Sequence, residues 1–372
     1  MIMKDIKQLI TNIAFDLGFD AVGISLAEEL EKSNDHFLSW RDKGFAGDMN
    51  YLLRDNPINA KPKKILSEAR SVISLLVNYY TEVPSDPGTD YGRIAAYAVG
   101  IDYHKVLRKK IKLFQNNIEK YLGEHFLSRG FSDSVPLLEK SFACNSGLGF
   151  FGKNTLIINK PLGSYFFICE LIADLEIEST EDKKGTCGKC TRCIDVCPTD
   201  ALGVGDNFDK PILDARLCIS YLTIENKSDI PLKLRSKIGN WIFGCDLCQI
   251  ICPYNNKIKE TTWGEFKPHS GAGHWLSLKD ILSIRTDEAF HERFCHSPLT
   301  RPKRRGLIRN AAIVAGNRLS ESALPELIWL AENEPDPLIR EHVLWALSKY
   351  DDRKAKQTFS RHCEEHSDEA IY

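Results

Sequence analysis

An α+β chain in three consecutive parts is what the sequence predicts, and three observations carry that reading. Helical and strand-like stretches alternate through the first ~180 residues. Eight of the twelve cysteines then crowd between Cys187 and Cys252. From about residue 275 the pattern turns helical. The parts are expected at residues 1–180, 181–260 and 275–358, with 359–372 as a tail that has no periodicity.

In the first part, "KDIKQLITNIAFDL" puts Ile6, Leu9, Ile10, Ile13 and Leu17 on one helical face, and Gly18 ends the run. "AVGIS" (21–25), "SVISLLVNYY" (71–80) and "RIAAYAV" (93–99) read as strands, the second apolar enough to be buried on both faces. Residues 102–126 form a basic amphipathic helix. "TLIINK" and "GSYFFICELIADLEI" read as strands flanking "PLG", and a helix is expected from about Pro136. In the last part, "LIRNAAIVAGN" (307–317) and "LIREHVLWALS" (338–348) echo each other at a 31-residue offset, which suggests two stacked helical repeats.

Composition narrows the function classes. A 43% hydrophobic and 27% charged chain is ordinary for a soluble globular protein. A net charge of −2 means that nucleic acid would have to be held by a local patch. No apolar run approaches the roughly 20 residues that span a bilayer, and "MIMKDIKQLI" lacks a secretory pattern. A cytoplasmic protein without membrane association is expected. In that reducing setting, clustered cysteines argue for metal and against disulfides.

Cys187, Cys190, Cys193 and Cys197-Pro198 follow the spacing C-x2-C-x2-C-x3-C-P. Three thiolates three apart can cap three corners of an iron–sulfur cube, and the fourth then serves a second cube. Zinc would want two separated CxxC pairs and would leave the middle cysteine idle. The second run, Cys245, Cys248 and Cys252-Pro253, matches the last three positions, with Ile242 where its first cysteine belongs. Cys218 is the spare cysteine nearby. Two [4Fe–4S] clusters with crossed fourth ligands follow: Cys187, Cys190, Cys193 and Cys252 for one, Cys197, Cys218, Cys245 and Cys248 for the other. Cys144, Cys169, Cys295 and Cys363 are left as packing or surface residues.

Two cubes carry electrons but bind no substrate, so the larger upstream part should hold the site. "DSVPLLEKSFACNSGLGFFGKNTLIINKPLGS" is its most distinctive stretch. Gly147, Gly149 and Gly152 before Lys153-Asn154-Thr155 would let backbone approach a ligand closely. The G-x4-G-K-[ST] spacing of a P-loop is absent. A dinucleotide loop is the weaker alternative, because the segment before the glycines reads as helix.

Taken with "YAVGIDYHKVLRKK", "CISYLTIE", "SPLTRPKRRGLIRNAAIVAGN" and the two cysteine runs, this stretch resembles the epoxyqueuosine reductase family over roughly residues 20 to 350. The resemblance implies a reductive-dehalogenase-like cobalamin domain, a ferredoxin-like two-cluster module and HEAT-like repeats. It implies base-off cobalamin; an external ferredoxin or flavodoxin as electron donor and a monomeric state are expected with it. It also implies the reaction, reduction of epoxyqueuosine to queuosine at the wobble position of tRNA with loss of water. "DYH" begins like a lower-histidine cobalamin motif, but Leu107 stands where that motif needs glycine, so His104 reads as a helix-start residue. The resemblance carries the catalytic acid onto Asp133, and cobalamin contacts onto Lys153, Asn154, Thr155, Ser220 and Asp246. A carboxyl raised by an apolar wall would suit that acid; a helix-capping Asp133 is the alternative.

"RPKRRGLIR" places Arg301, Lys303, Arg304, Arg305 and Arg309 within nine residues with no acid between them. A solvated face is the ordinary reading of such a run, and grip on anticodon-arm phosphates is the one the resemblance favours. Two rival functions remain at this point: a small-molecule cobalamin reductase, which leaves the basic run unexplained, and an electron-transfer protein, which leaves the first part unused.

Overall fold

Eight consecutive buried residues, Ser71–Asn78, make the strand on which the first half of the chain is assembled. The structure is a computed structural model that describes residues 3–52, 61–181, 185–203, 211–358 and 360. Strand Ser71–Asn78 pairs antiparallel with Ala21–Leu26 on one side and with Phe166–Ala173 on the other, and Ser128–Phe131 completes a four-stranded sheet. Antiparallel sheets usually wet one face. Here both are covered, as the nearly continuous apolar run anticipates. Gly130 lies so close to Ile111 of helix Tyr103–Leu122 that a Cβ would come within 2.1 Å of it. On the opposite face a Cβ at Gly23 would come within 2.5 Å of Ser146, just past helix Glu139–Asn145.

The chain folds into two units, each made of three separated stretches. The first takes Met1–Glu82, Ile101–Asp214 and Leu247–Lys267; the second takes Val83–Gly100, Ala215–Asp246 and Pro268–Tyr372. The cysteine-rich segment is divided between the units: the first run, Cys248 and Cys252 belong to the first, and Cys218 and Cys245 to the second.

Several elements differ from the sequence reading for identifiable reasons. The strand expected over 93–99 ends early: Tyr91–Ile94 pairs with Trp241–Phe243 and Trp275–Ser277, and Ala96–Ala98 is a helical turn. The Asp246 carboxylate accepts the Ala96 N–H at 2.7 Å and so takes that donor from any ladder. The helix expected from Pro136 starts at Glu139. "TLIINK" contributes only Ile157–Ile158, paired with Phe150–Phe151. The helix begun by Asp102 runs Tyr103–Leu122 and stops at Gly123, whose φ of 73° suits glycine.

In the second unit the sequence echo falls on two helices, Lys303–Arg318 and Pro337–Leu347, that pack together. Gly316 makes the approach possible: a Cβ there would sit 2.8 Å from the Ala346 backbone. Every residue from Gly306 to Gly316 is buried, so this helix is core on all sides. Among the described residues no helix is long and apolar enough to cross a membrane. The tail and Cys363 lie outside the described residues, apart from residue 360.

Candidate functional site

The glycine-rich stretch folds into a small hairpin. Gly152 accepts the Thr155 N–H at 2.9 Å and donates to Leu156 at 2.8 Å, so Gly152–Thr155 is the turn between Phe150–Phe151 and Ile157–Ile158. No helix follows, which removes the dinucleotide-loop reading. Gly149 and Gly152 are required by the packing of the hairpin itself. A Cβ at Gly149 would meet the Ile158 carbonyl at 2.5 Å, and one at Gly152 would meet Asn154 at 2.6 Å. Thr155 holds φ +64°, a strained value for a β-branched residue.

This turn has two functional sides, both within the first unit. Lys153 and Asn154 line a small cavity together with Cys187, Cys190, Cys193, Cys252 and Tyr254. Gly152 and Thr155 line a larger cavity of about 370 Å³ with Asp133, Glu139, Lys140, Trp40 and Phe151.

The cysteine cavity fits an iron–sulfur cluster by the chemistry of its lining. The first four predicted ligands converge there. Burial, then the neighbouring Cys187 thiolate, raises the Cys193 thiol, and burial with Cys187 and Cys190 raises Cys252. Thiolates that repel one another in this way call for a cation among them. The Lys153 N–H already donates to Cys187 Sγ at 3.4 Å. Among the described residues the buried Asn154 amide nitrogen has no partner, a donor suited to cluster sulfur. Lys153 and Asn154, expected beside cobalamin, thus face the cysteines, with Lys153 Nζ donating to the Gly188 carbonyl at 3.0 Å. Thr155 alone of the three faces the larger cavity.

Of the second predicted set, Cys197 in the first unit lies 3.6 Å from Thr199 Oγ1, and helix Leu247–Ile250 carries Cys248. In the second unit Cys218 precedes helix Ile219–Ile224, which carries Ser220, and Asp246 is buried against the Ala96 N–H. Cys169 is buried in the sheet, while Cys144 and Cys295 are half-buried.

In the larger cavity, Asp133 sits on the loop between strand Ser128–Phe131 and helix Glu139–Asn145, at φ +51°. It caps no helix. Its Oδ2 accepts the Tyr103 hydroxyl at 2.8 Å, and His104 Nε2 stands 3.9 Å away. Tyr103 is stacked between Phe167 and His104. His104 lies in the first helical turn as expected, its Nδ1 2.8 Å from Asp102 Oδ1. Burial opposes the Asp102 charge, but the His104 contact outweighs it and holds that carboxyl below the ordinary carboxylate range. The expected apolar wall is not around Asp133, whose side chain is 70% exposed.

The raised carboxyl is its neighbour Glu139, a residue the sequence reading missed. Burial, reinforced by the Asp133 charge, pushes Glu139 up to about 8. Burial also lowers the Lys140 ammonium. Both open onto the cavity, so water inside reaches them although protein surrounds them. Beyond them Glu170 is fully buried in the sheet, raised well above its usual range by burial, with both oxygens accepting from Ser74. The signal was in the sequence as the acid–base pair in "LLEKSF", read there only as a helix start.

The basic run does not present a single cationic face. Arg309 is fully buried and donates to the carbonyls of Leu222, Asn226 and Ser228. Arg304 is buried against Glu334 and the Ile284 carbonyl. Neither can reach a phosphate, because the helix they stand on is core. Arg301 and Arg305 are exposed but paired with Glu225 and Asp336, and Lys303 is exposed at φ +60°.

Comparison with known proteins is consistent along the chain. A family model described as epoxyqueuosine reductase matches residues 60–134, one for a 4Fe-4S double cluster binding domain matches 186–255, and one for HEAT repeats matches 303–371. The epoxyqueuosine reductase of Pseudomonas aeruginosa is 39% identical over 356 residues, 93% of this chain and 94% of that one. Among solved structures, an epoxyqueuosine reductase with an epoxyqueuosine-modified tRNA-Tyr stem loop gives a TM-score of 0.82 at 28% identity, covering 98% of this chain and 99% of that one. The Bacillus subtilis enzyme, with its catalytic aspartate loop swung out of the active site, gives 0.80 at 28% identity over 98% and 99% of the two chains.

Proposed function

The chain belongs to the epoxyqueuosine reductase family, and from that premise we propose that it reduces epoxyqueuosine to queuosine at the wobble position of tRNA, releasing the epoxide oxygen as water. The single observation that best supports this reading is the Gly152–Thr155 turn. One side of it lines the four-cysteine cavity and the other lines the cavity that holds Asp133, so an electron-carrying centre and an acid meet across four residues.

Cys187, Cys190, Cys193 and Cys252 would hold one [4Fe–4S] cluster; Cys197, Cys218, Cys245 and Cys248, assigned by spacing, would hold the second. Cobalamin in its base-off form, when bound, supplies a strongly reducing cobalt centre. Its fit here rests on the apolar walls of Trp40, Phe37, Leu137 and Phe151, with Thr155 and Lys140 as polar contacts. Ser220 and Asp246 are kept as proposed cobalamin contacts on the sequence resemblance alone. Asp133 is the proton donor to the departing oxygen, steadied by the Tyr103 hydroxyl. That the B. subtilis enzyme carries its catalytic aspartate on a loop able to swing agrees with the exposure of Asp133.

Arg301, Lys303 and Arg305 are the proposed phosphate contacts for the anticodon arm, with Arg304 and Arg309 withdrawn from that role. The enzyme would act as a monomer in the cytoplasm, fed by a ferredoxin or flavodoxin. Iron content, visible absorbance with added cobalamin, and turnover of a modified stem loop under dithionite test the assignment together. Protein that loads both clusters and cobalamin but leaves the stem loop unchanged would refute it.

A further inference from the structure

We propose that Glu139 is the second proton donor of the reaction, acting beside Asp133 in the cavity that both residues line. The inference rests on the reading of Asp133 as the first. Converting an epoxide to an alkene breaks two C–O bonds and forms the C=C π bond. The carbon skeleton takes up two electrons from a one-electron reductant, here dithionite, and the oxygen takes up two protons and leaves as water. A single carboxyl holds one of those protons, so a second bearer is needed.

Glu139 is built into the same loop. It is the first residue of the helix Glu139–Asn145, and its Oε1 accepts the Asp133 backbone N–H at 2.8 Å. A protonated carboxyl accepts that bond through its carbonyl oxygen and keeps its hydroxyl free to donate. The titratable groups around it come from every neighbouring element. Asp133 stands on the loop, Lys140 follows on the same helix, Cys169 and Glu170 interact with it electrostatically from the sheet, and His36 lines the cavity from helix Glu31–Asp42. Tyr103 and His104 reach the pair through Asp133. Burial and the Asp133 charge outweigh Lys140 and the Asp133 N–H, so Glu139 keeps its proton up to about pH 8. The Glu139 proton is then in place before the substrate arrives, and Asp133, open to the cavity, takes its proton from solvent. After water leaves, the two carboxylates recover protons from solvent in the open cavity.

The substitution that decides this is Glu139→Gln. Glutamine preserves the acceptor for the Asp133 N–H and removes the transferable proton. Turnover of an epoxyqueuosine-modified stem loop should fall about 100-fold or more, with KM changed by less than about twofold. The alkaline fall in wild-type kcat near pH 8 should be gone from the residual rate. Glu139→Asp keeps a carboxyl and should restore part of the rate together with an alkaline limb at a different pH. An independent readout needs no cofactor. In infrared difference titrations, the wild-type protein should lose a protonated-carboxyl band near pH 8, and E139Q should lack that band. Wild-type kcat in E139Q with the alkaline limb intact would overturn the proposal, as would an E139D limb unmoved from the wild-type position. If instead Asp133→Asn kept full activity, the reading of Asp133 would fail while the infrared result still assigned the proton to Glu139.

Discussion

The loop from Ser132 to Lys140 and the run from Arg301 to Arg309 both read in the sequence as substrate contacts, and they fold in opposite senses. The loop leaves its polar groups open. Asp133 sits at a positive φ with its side chain exposed, while Glu139 and Lys140 face a cavity at the cost of burial. The run turns its charge inward. Arg304 and Arg309 complete the bonding of a core helix, and Arg301 and Arg305 already hold acids. Charge density in a sequence therefore says little about availability. Strain and incomplete bonding around a cavity say more.

The largest effect that tests this contrast is on the electron supply. Cys187→Ala or Cys252→Ser should remove one cluster and abolish turnover, measured as iron content and product; full iron in either variant would break the ligand assignment. Next is the loop itself. Asp133→Asn should lower kcat by about 100-fold to 10,000-fold with RNA affinity unchanged. Arg309→Ala should act on the fold. It leaves the buried carbonyls of Leu222 and Asn226, and that of Ser228, without this donor and should cost about 3–5 kcal/mol in chemical unfolding. Arg305→Ala should do the reverse, reducing the salt dependence of stem-loop binding by about one phosphate contact. Loss of its exposed pair with Asp336 should cost less than about 1 kcal/mol.

A further effect concerns pH. An unfolded Glu139 ionises near 4.5, whereas the folded protein keeps that proton up to about 8. Between those values the folded state binds the extra proton, so stability falls as pH rises. E139Q should remove that slope, giving a larger gain in Tm at pH 8 than at pH 5; an equal gain at both would contradict it.

Much of this was legible in the sequence. The nearly continuous apolar run at Val72–Val77, interrupted only by Ser74, marked the central strand, because burial on both faces is what tolerates it. Cys187, Cys190 and Cys193 announced a cluster by spacing alone, and their cavity is lined as that spacing requires. Other features depend on tertiary contacts that no local pattern encodes. The strand at Tyr91 ends where Asp246, distant in sequence, takes the Ala96 N–H. Lys153 and Asn154 point at cysteines instead of at Asp133 because a hairpin turn, and not a helix N-terminus, presents them. Arg309 repeats as Arg340 in the helical echo, which showed the repeat but not that the arginine would be core.

The central claim is that Asp133, set beside a cluster-bearing cavity, delivers a proton to an epoxide on tRNA. The most direct measurement is nucleoside mass spectrometry of an epoxyqueuosine-modified stem loop. The loop would be incubated anaerobically with dithionite and with protein reconstituted with iron, sulfide and cobalamin. The wild-type protein should convert the modified nucleoside to one lighter by a single oxygen atom, and Asp133→Asn should slow that conversion by about 100-fold or more. Equal conversion by both proteins, or none by wild-type protein carrying its clusters and cobalamin, would contradict the account.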